Sequence, residues 1–81
     1  MPRSIHQPEY KVFCSALRAL RERAGMSQEE LARKLDRPQT FVSAVELRKI
    51  RLDFLQIRDW CRACGTTATK FVAQVERLLS S

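Results

Sequence analysis

Pro38 cuts a stretch of strong helix formers into two short pieces. Proline lacks the N–H that a helix interior needs, and its ring clashes with the preceding turn, yet its fixed backbone angle suits the first position of a new helix. Asp36, just upstream, tolerates a turn conformation. One helix therefore ends near Leu35 and another begins near Pro38, joined by a turn of about three or four residues. The upstream helix has a start signal as well. Ser27 can accept from a free first-turn N–H while Glu30, three residues on, reaches back, which is a capping box. Leu31, Ala32 and Leu35 then form one apolar face. In the downstream helix, expected to run from Pro38 to about Leu47, Val42 and Val45 point inward. Gln39, Thr40, Ser43 and Ala44 fall on the opposite side.

The remaining segments read as helices too. From Glu9 onward Tyr10, Phe13, Leu17, Leu20 and Ala24 recur at helical spacing, and Gly25 supplies the stop. After a basic loop (RKIR, residues 48–51) an amphipathic helix is expected from about Leu52 to Cys64. Leu55, Ile57, Trp60, Cys61 and Cys64 would face inward, with Gly65 as terminator. A last helix, capped by Thr66 or Thr67, runs to about Leu79 and carries Phe71, Val72, Val75, Leu78 and Leu79 along one side. No internal repeat and no strand-like alternation is present. With 81 residues, 44% of them hydrophobic, the chain has apolar material for one core. Residues 1–8, with two prolines and no periodicity, read as a flexible arm, and residues 9–81 as one all-α domain, a compact five-helix bundle.

Fifteen Lys and Arg against nine Asp and Glu give a formal net charge of +6, which favours a polyanionic partner. The charge is local. Between residues 33 and 51 stand Arg33, Lys34, Arg37, Arg48, Lys49 and Arg51 against only Asp36 and Glu46, so four of the six net charges fall there. No apolar run of about 18 residues could span a bilayer, and residues 1–8 lack the apolar stretch of a secretory signal. A soluble, cytoplasmic protein is expected. Three cysteines fit reduced thiols in that compartment better than a disulfide framework.

Two short helices joined by a tight turn, the second carrying small polar side chains and followed by a basic loop, are the parts of a helix-turn-helix. The stretch LRALRERAGMSQEELARKLDRPQTFVSAVE, residues 17–46, resembles the Cro and phage-repressor (Xre-like) helix-turn-helix family. A weaker similarity continues to Gly65. The resemblance implies a lambda-repressor-like fold with the motif in helices two and three, and a transcriptional regulator, a repressor acting by operator occupancy as a homodimer. Its partner would be a double-stranded DNA operator, an inverted repeat, with no cofactor. The family's base-contacting positions map to Gln39, Thr40, Ser43 and Ala44, and its backbone-contacting ones to Ser27 and Gln28 at the start of helix two. Arg37, Arg48, Lys49 and Arg51 would flank these on phosphates. The resemblance also places Arg21 beside Glu46 as a charge pair. Phe71, Val72, Val75, Leu78 and Leu79 offer more apolar surface than a terminal helix needs, so a dimer interface is expected there.

The sequence departs from the family pattern at two places. Asp36 stands where a glycine is common, and Leu47-Arg48 replaces an Arg-Gly ending, leaving the geometry of the exit loop open. Leu47 and Ile50 either tuck beneath that loop or meet a partner. Cys61 and Cys64 have the spacing of half a zinc site or a redox pair, but the other candidate ligands are only Cys14 and His6, and the family resemblance implies apolar core positions, where thiols act as small hydrophobes. His6, in the arm, is expected to be exposed. No catalytic triad or glycine-rich phosphate loop can be assembled, so no enzyme is expected. A second function class is an antitoxin or adaptor that uses the same fold to hold a protein.

Overall fold

A computed structural model describes residues 8–80. Five helices follow in chain order: α1 (Pro8–Arg23), α2 (Gln28–Leu35), α3 (Gln39–Glu46), α4 (Phe54–Ala63) and α5 (Ala68–Ser80). No strand occurs among the described residues. Pro8, expected in the arm, opens α1, and the rest of that arm, His6 included, lies outside the described residues. No helix of the described residues is long and apolar enough to cross a membrane.

α1 packs on α3, α4 and α5, while α2 packs on α3 and α4. Leu17, Leu31, Val42, Val45, Trp60 and Phe71 are fully buried where these helices meet. The indole of Trp60 donates to the Leu17 carbonyl at 3.1 Å, so its one polar atom is satisfied inside the core. Phe41, not expected inward, is buried as well. Sequence periodicity gave α3 a two-residue inner face, but α2 and α1, which both pack on it, leave a third side chain buried.

The start of α4 shifts from the expected Leu52 to Phe54 because Asp53 caps it. Asp53 Oδ1 accepts from the Gln56 N–H at 2.8 Å, and Gln56 Oε1 accepts from the Asp53 N–H at 2.9 Å, a reciprocal box. Leu55 points outward, 63% exposed, against the expectation that it faces the core. Pro38 sits one residue before α3, at its N-cap. Thr67, one of the two expected caps, accepts from the Lys70 N–H at 3.2 Å and sets the start of α5.

The first four helices stop in the same way. The backbone turns left-handed at Gly25, Asp36, Arg48 and Gly65, with φ of 74°, 57°, 63° and 83°. After each, the next N–H reaches back to a carbonyl five residues earlier, as from Met26 to Arg21, Arg37 to Ala32, Lys49 to Ala44 and Thr66 to Cys61, the Schellman arrangement. The exit loop thus keeps glycine-like geometry without a glycine. Asp36 and Arg48 carry a steric cost that Gly25 and Gly65 do not. Arg48→Gly should relieve it. After allowing for the freer unfolded chain, the gain should be about 0.5–1 kcal/mol, read as a thermal midpoint several degrees higher by circular dichroism.

Candidate nucleic-acid interface

The position of α3 is set by an ion pair in the core. Arg21, late in α1, meets Glu46, the last residue of α3, with Nε donating to Oε2 at 2.7 Å and Nη2 to Oε1 at 3.1 Å. Their side chains are 10% and 3% exposed. Arg21 Nη1 also donates to the Met26 carbonyl at 2.8 Å, in the turn before α2. Hydrogen bonding to Glu46 is the main cause that raises the Arg21 pKa above its ordinary value, against the opposing effect of burial. The guanidinium therefore stays charged.

Glu46 Oε1 accepts a further bond from Gln28 Nε2 at 2.9 Å, and Gln28 Oε1 accepts from Gln39 Nε2 at 2.6 Å. A chain of hydrogen bonds thus runs from α1 through the ends of α3 and α2 to the exposed first residue of α3. The side chain of Gln28, expected to reach a phosphate, serves as the bridge in this chain, which leaves it one amide hydrogen. Gln39 keeps one amide hydrogen and its oxygen. Those are the donor and the acceptor that adenine's major-groove edge requires.

Gln39 and Thr40 are exposed, and Ser43 and Ala44 are half-buried at the margin of the same face. Leu47, 56% exposed, follows Ser43 by four residues and Ala44 by three, so it extends that face at the helix end. It neither tucks under the loop nor joins the core. Ile50 does pack against the core. Of the two alternatives the sequence offered for Leu47, its exposure leaves contact with a partner, and an apolar side chain there suits a thymine methyl.

Around this face lie the groups that can hold a phosphodiester backbone. Ser27 Oγ accepts from the Glu30 N–H at 3.1 Å, and Glu30 Oε1 accepts from the Ser27 N–H at 2.7 Å. Hydrogen bonding from the Ser27 backbone N–H, and next from its side chain, lowers the pKa of the Glu30 carboxyl. Arg37, Lys49 and Arg51 are exposed and Arg48 is half-buried, in the two connections that bracket α3. The hydroxyl of Tyr10 donates to the Ile50 carbonyl at 2.8 Å and fastens the second connection to α1. Burial is the main cause that pushes the Tyr10 hydroxyl up to about 12, so it remains a donor at neutral pH.

The remaining sequence candidates separate in space. Phe71 and Val75, expected at a dimer interface, are buried in the chain's own core, a correction that follows from the packing of α5 on α1 and α4. Val72, Leu78 and Leu79 remain exposed. Val72 shares an open pocket of about 320 Å³ with Phe54, Ala68 and Thr69, whereas Leu78 lines a groove with Val12, Ala16 and Ala19 of α1. Cys14 and Cys61 are buried and Cys64 is half-buried. Burial pushes the Cys61 and Cys64 thiols up to about 11, which leaves little thiolate to bind a metal near neutrality. Among the described residues no three potential metal ligands gather.

A helix-turn-helix domain family matches residues 13–78. An XRE-family-like protein from Pseudomonas syringae pv. tomato str. DC3000 is 37% identical, with 94% of this chain and 93% of that one covered and a TM-score of 0.83. The restriction-modification controller protein C.Esp1396I, solved as a tetramer with its natural 35-base-pair operator, is 17% identical over 94% of this chain and all of its own, with a TM-score of 0.83. The same controller protein in its wild-type form, also 17% identical, gives 0.84. At that identity the likeness is one of fold. No curated protein matches the chain significantly. The chain belongs to the helix-turn-helix domain family and is an Xre-like, DNA-binding transcriptional regulator. That family is not one of enzymes.

Removing Glu46 would leave Arg21 charged and unpaired at the centre of the motif. Glu46→Ala should cost about 3–5 kcal/mol, since breaking a buried pair strands the remaining charge. The thermal midpoint should fall by more than about 10 °C. A midpoint close to that of the unmodified protein would contradict the buried pair.

Proposed function

We propose that the chain acts in the cytoplasm as a homodimer that binds an inverted-repeat operator in double-stranded DNA and represses by occupying it. One observation carries this reading: the exposed Gln39 amide, held at the start of α3 by the chain of bonds from Arg21, retains the donor and acceptor needed to read a base. Thr40, Ser43, Ala44 and Leu47 continue the reading face. Ser27, the backbone at Gln28, Arg37, Arg48, Lys49 and Arg51 hold the phosphates around it. The controller protein solved on its operator supports the same use of this fold.

A dimer fits the exposed side of α5. Phe54 and Val72 are 61% and 48% exposed, line one pocket, and are continued by Leu79 one heptad beyond Val72. An isologous contact of this stripe with its own copy would remove it from water and relate two α3 helices by a two-fold axis, which calls for an inverted repeat. The stripe replaces the five-residue interface expected from sequence, because Phe71 and Val75 are already buried. Val72→Asp should convert the dimer to a monomer in light scattering at micromolar concentration and abolish cooperative binding. A protein monomeric before the substitution would refute the dimer.

Selection of bound sequences from random duplex DNA tests the function directly, the expected result being an inverted repeat. Gln39→Ala should then lose about 1–3 kcal/mol on the selected operator and little on a scrambled duplex. Lys49→Ala should weaken both alike and reduce the slope of log affinity against log salt by about one. Equal weakening by Gln39→Ala on both duplexes would remove its reading role. Failure to select any duplex would favour the protein-holding function.

A further inference from the structure

The arginines of this protein are held in two physically different ways. Arg21 is gripped through its in-plane hydrogens, which Glu46 and the Met26 carbonyl consume. Arg37 and Arg51 are gripped through the face of the guanidinium instead. The Arg37 Cζ lies 3.9 Å from the centroid of the Phe41 ring, and the Arg51 Cζ lies 5.1 Å from that of Tyr10. Both distances fall within the range of a cation–π contact. Neither guanidinium makes a hydrogen bond or ion pair with another described residue.

A ring beneath a guanidinium and an oxyanion at its edge use different parts of the group, so both can be satisfied together. A carboxylate partner would occupy the edge and compete with phosphate. Stacking narrows the directions in which the side chain can point while leaving all five N–H donors available. Binding then loses less side-chain freedom, which otherwise costs about 0.5–1.5 kcal/mol per immobilised side chain.

The placement of the two rings is specific. Arg37 precedes α3 and Arg51 follows it, so they bracket a helix of eight residues, about 12 Å long at 1.5 Å per residue. That is about the width of the major groove. Phe41 is itself a core residue of α3, and Tyr10 is buried in α1 with its hydroxyl bonded to Ile50, next to Arg51. Each ring is therefore fixed by the fold.

We propose that Phe41 and Tyr10 are positioning residues for DNA binding, rigid platforms that hold Arg37 and Arg51 at either end of α3 with their edges free for phosphate. This rests on the DNA-binding function proposed above. It goes beyond that reading by assigning a binding contribution to two buried rings that touch no DNA.

Double-mutant cycles test it, with the full chain and a fluorescein-labelled mixed-sequence duplex in fluorescence anisotropy, below the melting temperature of every variant. Phe41→Leu should weaken binding about two- to five-fold, yet add nothing further in an Arg37→Ala background. Tyr10→Leu should behave likewise with Arg51→Ala, and Tyr10→Phe, which keeps the ring, should recover most of the loss. Equal losses with and without the arginine would show that the rings act only through general stability, and would overturn the proposal. Should Phe41→Leu not fold, the Tyr10 cycle decides by the same criterion. Failure of the unmodified chain to bind any duplex would overturn the function itself, a result distinct from intact binding with additive losses.

Discussion

Glu46 is a carboxylate almost without access to water, and much of the molecule is arranged around keeping it paired. Its two oxygens accept three hydrogen bonds, two from Arg21 of α1 and one from Gln28 of α2. Arg21 in turn spends its remaining reach on the Met26 carbonyl. Three helices and one turn thus converge on one charge pair, and a helix-turn-helix needs such convergence, because its two short helices could otherwise slide on their apolar faces. An apolar substitute of equal volume can match a buried ion pair in stability. What it would not supply is direction, since hydrophobic contact is insensitive to small rotations whereas a forked pair is not.

The sequence made the helices legible wherever chain stops and starts are chemically distinct. Ser27 with Glu30, Gly25 and Gly65 each lie where local stereochemistry alone determines the outcome, and the structure follows them. Asp53 with Gln56 has the same chemistry, yet the leucine before it carried the apolar pattern on, and the start of α4 moved by two residues. Leu55 departs from expectation for a separate reason, since at about 100° per residue it stands about 140° round the helix from Trp60, off the face that α4 buries. Phe41 and Leu47 show the other limit. Whether an apolar residue of α3 is inside or outside depends on where α1 and α2 lie across it, and helical periodicity holds no information about that.

Within the candidate interface, residue types were more legible than their connections. A run of small polar residues after Pro38 and basic residues on both sides could be read from the string alone. That Gln28 turns inward to join Glu46 with Gln39 could not, because it depends on the relative placement of three helices. Nor could the division of α5, where Phe71 and Val75 face inward while Val72 faces out. Periodicity gave the stripe, and only packing decides which edge of a stripe is left over.

The chain of bonds from Glu46 has a polarity. An ionised carboxylate can only accept, so Gln28 must turn its NH₂ group toward Glu46 and its oxygen away. That oxygen can only accept as well, so Gln39 must present its NH₂ group to Gln28. Two amides that would each be free to flip in isolation are thereby locked, one after the other, into a single orientation. The order in which Gln39 offers its oxygen and its remaining hydrogen to solvent is consequently written by a charge buried several residues away. Reversing an A·T pair to T·A carries the donor and acceptor of the adenine edge to the other side of the groove. An amide that could flip and reach would follow them, and this one cannot. On the base-reading role proposed for Gln39, strand orientation at an operator would be set in the core, by the sign of the Glu46 side chain.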